Sequence, residues 1–332
     1  MKQKIKKRNR LKVLLISLTA IMMITIIATI GVGNYFINYA LVPSGAGGER
    51  EVEIASANID NSLAALIDDN RKKADKIVEE WKASVSTEDV SVSANDGTTL
   101  RGVHYLSEKK SNKWVIVAHG YHSSPDGVFY AGKNFYEEGY NVLAISMRAH
   151  ADSDGDYIGM GWLDRLDLIN WIDFIIDEES DAEIVLYGIS MGGATVMMAS
   201  GEELPDNVKV IVEDCGYTSV WDIFSSELEL RFGISEFPVL YMVDIVANHK
   251  VGYKFKEASA LKQVKKSTTP ILFIHGDADD FVPVDMVYEL YDAASSDKEI
   301  YIVEGASHGE AQYVNQEEYY NKIFSFVGRY ME

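Results

Sequence analysis

Cysteine is almost absent: Cys215 stands alone among 332 residues. A single thiol excludes an intramolecular disulfide and a multi-cysteine zinc site, and it leaves redox compartment unmarked. In "VIVEDCGYTS" it directly follows an apolar run, where a buried structural thiol is expected over a reactive one. Acid is missing from the first twelve residues, "MKQKIKKRNRLK", which hold seven Lys and Arg. Set against a formal net charge of -20, those seven leave -27 on the remainder. A body that acidic disfavours nucleic acid and anionic membrane surfaces as partners. Charge of either sign is missing from "VLLISLTAIMMITIIATI", residues 13–30. No internal repeat and no long low-complexity tract interrupts the chain.

The uncharged run covers roughly 27 Å as a helix, and the adjoining "GVGNYFINYALV" extends it with aromatic residues suited to an interface. Positive charge in front of such a segment holds the N-terminus in the cytoplasm and sends the rest of the chain outward. The expected organisation is a basic cytoplasmic head over 1–12, a transmembrane anchor over 13–35, a tether and amphipathic helix over 36–84, and a catalytic domain over 85–332. A cleaved secretory signal is the competing reading, because "SGA" at 44–46 resembles a cleavage site. Its apolar core would be long, and the small residues lie far beyond it. Within 61–82, Leu63, Leu66, Ile67, Ala74, Ile77, Val78 and Trp81 recur at helical spacing, which predicts a helix packed on the body of the protein.

From Val90 onward strand-like and helix-like segments alternate. Residues 96–106 read as an antiparallel hairpin strand, and 114–120, 140–147, 183–188, 208–214 and 270–276 as buried strands. Repeated βα units predict an α/β fold with a mostly parallel sheet covered by helices on both faces, and a ligand at the carboxyl ends of the strands. Residues 217–260 form an insert between two core strands, expected to be a helical cap.

At "EIVLYGISMGGATVMMAS", residues 183–200, a strand gives way through a Gly-rich turn to a helix. G-x-S-x-G is short enough to arise by chance, but strand, sharp turn and helix together are the context that a nucleophilic serine requires. Ser190 is the candidate nucleophile; a plain turn serine is the alternative. An unassisted serine is weak near neutral pH, so it needs a base and the base needs an orienting group. Of seven histidines, His308 follows the last strand-like run on a Gly-containing loop, which places it on the serine's side of the sheet. His119 and His275 end strands before glycines and are expected to shape loops. Asp277, Asp279 and Asp280 cluster in "ILFIHGDADDFVP" and are all open as the acid. The N–H of Met191, next after the serine, is a candidate oxyanion donor.

These motifs resemble α/β-hydrolase-fold serine hydrolases, in particular the membrane-anchored bacterial relatives of the Bem46 and prolyl-oligopeptidase-like hydrolases. The H-G-x-x-D-x-x-V-P pattern falls on His275, Gly276, Asp279, Val282 and Pro283, so the resemblance implies Asp279 as the acid. It implies a Ser190, Asp279, His308 triad, and through "AHGYHSSP" a second oxyanion N–H at Tyr121. "SMRAHADSDG" departs from the family's D-x-R-G-H-G-x-S-x-G turn, with Ser146 for Asp and Ala151 for Gly, which puts local turn geometry in question. The expected function is cleavage of small-molecule or lipid-like carboxylic esters through an acyl-enzyme, without metal or organic cofactor. A serine peptidase or amidase and a non-catalytic surface binding protein are the alternatives. The aromatic cap residues Trp221 and Tyr241 are expected to border the substrate. Natural substrate and oligomeric state are not legible in the chain.

Overall fold

Apolar, β-branched runs spaced by helical segments form one sheet in the computed structural model, which describes residues 2–45, 47 and 61–331. Two helices come first, α1 (Lys2–Ala40) and α2 (Asn61–Ser84). Next come β1 (Thr87–Ser93), β2 (Thr99–Tyr105), β3 (Lys113–Ala118), α3 (Phe129–Glu137), β4 (Asn141–Ile145), α4 (Asp164–Glu178), β5 (Glu183–Ile189), α5 (Met191–Ala199) and β6 (Val208–Asp214). The insert forms α6 (Val220–Phe232) and α7 (Glu236–Lys250). The chain ends with α8 (Ala260–Val264), β7 (Ile271–Gly276), α9 (Asp285–Ala293), β8 (Lys298–Val303), α10 (Ala311–Val314) and α11 (Gln316–Val327).

The 8-stranded sheet runs β1-β2-β4-β3-β5-β6-β7-β8. β1 and β2 pair antiparallel, as do β2 and β4, and from β4 to β8 every pairing is parallel. Alternation along a strand sends side chains to two cores. Trp114, Ile116 and Ala118 of β3 join the core that holds Trp171 and Met191, while Val115 and Val117 join the one that holds Phe135, Tyr187 and Tyr319. This is the α/β-hydrolase fold with a helical cap insert. The hairpin expected over 96–106 is a turn followed by β2, and its partner β1, "TEDVSVS", is a strand that the sequence does not announce. β1 is the edge strand, largely exposed and polar, and so lacks the apolar signal of a buried one.

The altered turn after β4 places alanines at positive φ. Ala151 takes a positive φ of 44°, and Ala149 one of 58°. Arg148 between β4 and this turn anchors it, donating to Asp167 at 2.7 and 2.9 Å and to Asp96 at 2.7 Å. α2 buries Ile67, Ala74 and Trp81, with Trp81 stacked on Tyr105 at 4.8 Å, while Leu66 and Ile77 of the same apolar pattern stay exposed. Most of the expected tether, 43–60, lies outside the described residues.

α1 divides into two parts. Most side chains over 11–27 are exposed, among them Ile16 and Ile27 at 68% and 70%, whereas Ile37 and Leu41 are fully buried in the core. Among the described residues α1 is the one helix long and apolar enough to cross a membrane.

The crossing of β5 into α5 sets the tightest backbone contact near Ser190. A Cβ on Gly192 would lie 2.1 Å from the Ala118 carbonyl oxygen and 2.9 Å from that of His119, so only glycine lets α5 approach β3 this closely. Gly192→Ala is expected to destabilise the domain by about 2 kcal/mol or more, lowering Tm by about 4 °C or more in a calorimetric scan. An unchanged Tm would show that the crossing relaxes freely.

Candidate active site

Ser190 sits in the left-handed half of backbone space, at φ 58° and ψ -117°, between the last residue of β5 and the first of α5. Its N–H donates to the Asp214 carbonyl at 2.8 Å, and its own carbonyl accepts from Ala194 at 2.9 Å, so β6 and α5 both hold the turn. A non-glycine residue there costs of order 1–3 kcal/mol and persists only where its surroundings over-determine it.

The loop after β8 carries His308 to this serine. Nε2 lies 2.8 Å from Ser190 Oγ, and Nδ1 lies 2.8 Å from Asp279 Oδ2. The carboxylate fixes the tautomer: Nδ1–H donates to Asp279, which leaves Nε2 to accept from the hydroxyl. Asp279 Oδ1 accepts from the N–H groups of Phe281 and Val282, both at 2.9 Å. Ser190 and His308, the candidate nucleophile and base, and Asp279, the acid that the resemblance implies, thus form one hydrogen-bonded chain. Asp277 turns elsewhere and accepts from Gly305 N–H at 2.6 Å. Met191 opens α5, where the first helical N–H groups have no intrahelical partner. Gly120, which precedes Tyr121, abuts Ser190 from the other side.

His275 does more than shape a loop. Its Nε2–H donates to the Val282 carbonyl at 2.9 Å and lies 3.3 Å from Asp279 Oδ2. Burial opposes its protonation, but Asp279 and then Glu213 outweigh that, and its pKa is raised. Burial likewise opposes ionisation of Asp279. His308 and His275 reverse this and hold the carboxyl well below the usual carboxylate range. His119 and His150 are pushed down to about 3 and about 4, chiefly by burial. Each accepts a backbone N–H at 3.1 Å, from Met147 and His122 respectively, so both are neutral struts of the loops beside the serine.

Two further carboxyls end β6. Asp214 accepts from Tyr319 Oη at 2.7 Å, not from His308, and burial pushes it up to about 6. Burial pushes Glu213 up to about 8; it accepts one bond, from Gly216 N–H at 2.9 Å. Cys215 Sγ, Asp279 and His308 offer ligand atoms within 4.8 Å of one another. They fit a metal poorly, because both His308 nitrogens are engaged and burial raises the Cys215 thiol well above its ordinary pKa, disfavouring the thiolate a metal takes.

Above Ser190 opens a predominantly apolar cavity. Its walls are Phe36, Ile37 and Ala40 of α1 and Leu41 just after it, Ile223, Phe224 and Leu228 of α6, and Val239, Leu240 and Val243 of α7, together with Tyr121, Tyr217 and Phe281. Its charged pair is satisfied internally: Arg231 donates to Glu227 at 2.5 Å and to Tyr39 Oη at 3.1 Å. Trp221 and Tyr241 do not border this cavity, contrary to the sequence expectation. They pack edge to face at 4.9 Å under Lys256, and Trp221 Nε1 donates to Glu236. Helical geometry explains the error. The wall of α7 is made by 239, 240 and 243, so at 100° per residue Tyr241 turns away, while Trp221 shares a helix side with Leu228 but stands in the first turn of α6, held against Tyr241 and Glu236. Aromatic composition carries no direction. The contribution of α1 has no counterpart among the sequence expectations.

Fold and site together define a serine hydrolase of the α/β-hydrolase class. The chain belongs to the prolyl oligopeptidase family, whose profile matches residues 133–332. It is 25% identical over 232 residues to the uncharacterized protein YqkD of Bacillus subtilis, covering 70% of this chain and 76% of that one. The uncharacterized protein YfhR of Escherichia coli K12 is 25% identical over 239 residues, 68% of this chain and 75% of that one. Among solved structures, the Pyrococcus furiosus esterase Pf2001 superposes with a TM-score of 0.62 at 25% identity, over 75% of this chain and 94% of that chain. The acylaminoacyl peptidase of Pyrococcus horikoshii shares the fold at 19% identity and a TM-score of 0.56, over 75% of this chain and 43% of that chain.

The Glu213 carboxyl sets a pH slope on stability. Its pKa rises from 4.5 to about 8 on folding, so the native state holds a proton that the unfolded chain has lost. That contribution is complete below pH 4.5 and disappears as pH rises through 8. Asp214 acts with the same sign up to about pH 6. Glu213→Gln removes the larger part of the slope: its Tm relative to wild type should climb by several degrees between pH 5 and pH 8.5 in thermal melts. A difference that stays flat across that range would mean Glu213 ionises normally.

Proposed function

We propose that the protein hydrolyses carboxylic esters through a Ser190–His308–Asp279 triad. The observation that carries this is the unbroken chain of 2.8 Å bonds from Ser190 Oγ through the imidazole to Asp279, at the floor of an apolar cavity. Ser190 Oγ attacks the carbonyl carbon while its proton passes to His308 Nε2, and the C=O π pair moves onto oxygen. The N–H groups of Met191 and Tyr121 hold that oxyanion. Its collapse breaks the ester C–O bond, and the leaving alkoxide takes the proton from Nε2. Water then repeats the sequence on the acyl-enzyme and frees the acid. Asp279 stays ionised throughout and keeps Nδ1–H pointed at itself. The predominantly apolar walls favour a hydrocarbon acyl group over a peptide, and the likeness to an esterase agrees.

A fluorophosphonate probe is expected to label the wild type covalently at Ser190 and to leave Ser190→Ala unlabelled, because the probe requires a serine whose proton can reach a base. On p-nitrophenyl butyrate Asp279→Asn should lose about 10⁴ in kcat, whereas Asp277→Asn and Asp280→Asn stay close to wild type. Aminoacyl-p-nitroanilides should turn over far more slowly than esters. Folded wild type that is neither labelled nor active on either substrate would remove the enzyme reading in favour of a surface binding protein.

α1 serves in this reading as an uncleaved anchor with the catalytic domain outside the cell. What supports retention is its seat in the fold. Tyr121 Oη donates to the Ala40 carbonyl at 2.6 Å, Ile158 N–H to the Leu41 carbonyl at 2.7 Å, and Ile37 and Leu41 are fully buried. Cleavage near residue 46 would strip all of these from the domain. Cell fractionation should find the full-length chain in the membrane pellet, with its catalytic domain removed by protease added to intact cells. A shortened form in the medium would establish the secreted alternative.

A further inference from the structure

The last turns of α1 meet two surfaces at once. One is the cavity, where Phe36 and Ala40 form a wall that ends at Ser190. The other is α7, which lies so close that a Cβ on Gly33 would meet Val246 at 2.3 Å. α7 buries Leu240, Val243 and Val246, and exposes Phe237, Tyr241 and Ile245 at 71%, 41% and 64%. Phe237 lies before the regular turns of α7 but packs on Tyr241 at 5.8 Å, and Ile245 follows Tyr241 at helical spacing, so the three form a single stripe. An exposed apolar stripe needs a cover, and this one lies on the helix that packs against α1 at Gly33, beyond which α1 exposes Ile27 and Ile30 at 70% and 52%.

We propose that the cavity above Ser190 is an acyl-chain site filled from the bilayer. The hydrocarbon chain of a membrane-borne ester lies between the end of α1 and the cap helices, with its carbonyl at Ser190, while the α7 stripe rests in the lipid surface. The carbonyl chemistry rests on the hydrolase reading; the chain site does not. The contact is apolar, as an acidic protein requires, and is made to a zwitterionic lipid surface as readily as to any other.

The test uses the full chain in phosphatidylcholine nanodiscs. Ser190→Ala protein should bind dansyl-undecanoic acid saturably, and adding Ala40→Phe, which fills the cavity from the α1 side, should weaken binding about tenfold. In otherwise wild-type protein Ala40→Phe, and Ile223→Trp from the opposite wall, should each lower the kcat/KM ratio of p-nitrophenyl laurate to acetate about tenfold. Phe237→Glu with Ile245→Glu should lower the ratio of laurate hydrolysis in phosphatidylcholine vesicles to that in detergent micelles about fivefold. Acetate turnover with laurate ratio and probe binding unmoved by both cavity variants would overturn the chain site and leave the hydrolase standing. An unmoved vesicle-to-micelle ratio would overturn delivery from the bilayer. A wild type that is inert and unlabelled, yet binds the fatty acid in an Ala40-dependent way, would keep the site and discard the hydrolysis.

Discussion

The backbone reversal at Ser190 is the constraint on which the site depends. With φ at 58° the residue cannot relax into strand or helix, and what holds it is the set of neighbours it joins: the Asp214 carbonyl at its N–H, the first turn of α5 at its carbonyl, and β3 pressed against Gly192. Three strand ends converge on one residue. The Oγ is thereby placed before any substrate arrives, and two loops, one after β7 and one after β8, need only supply an acid and a base at hydrogen-bonding distance. A looser turn would leave the same residues nearby with no fixed distance between them.

Around this turn the fold buries three carboxyls and gives them different charges. Asp279 receives two backbone N–H bonds and faces two imidazoles, which together outweigh burial and keep it ionised. Asp214 receives one tyrosine hydroxyl and Glu213 one backbone N–H, too little to offset desolvation, so both are pushed up. Environment thus selects the orienting acid among neighbours of the same chemistry. Only the carboxylate that stays charged can hold the His308 tautomer and, in the proposed mechanism, balance an imidazolium.

Much of this is legible in the sequence because it is local. A strand, a glycine turn and a helix in sequence order announce Ser190, and the loop after the last strand announces His308. Asp279 is less so: three aspartates share its loop, and only the wider H-G-x-x-D-x-x-V-P pattern separates them. The rest depends on direction and on contacts between distant segments. Trp221 and Tyr241 carry the composition of a substrate wall but pack on each other outside the cavity, and no count of aromatics reports that. The contact of His275 with Asp279 looks in sequence like any strand-end histidine. β1 stays hidden because at the sheet edge only Val90 and Val92 pack on the core and the rest of the strand is polar and exposed.

The least legible feature is the seat of α1, and the reason is physical. Hydropathy registers that a residue prefers to leave water and is blind to whether lipid or protein receives it. Along α1 one part is left exposed and the other is received by protein. The earlier apolar residues are exposed, Gly33 opens the approach to α7, and from there Ile37 and Leu41 belong to the same core as Trp171 and Met191. A helix used only as a tether would have no need of a glycine fitted to a cap helix, nor of carbonyls at Ala40 and Leu41 that accept from Tyr121 and Ile158. Without those acceptors the Tyr121 hydroxyl and the Ile158 N–H would each have to find a new partner, and a polar group left buried without one costs about 1–3 kcal/mol. The end of α1 is therefore part of the catalytic domain's fold, and the wall it contributes cannot be removed without opening the cavity in which Ser190 sits.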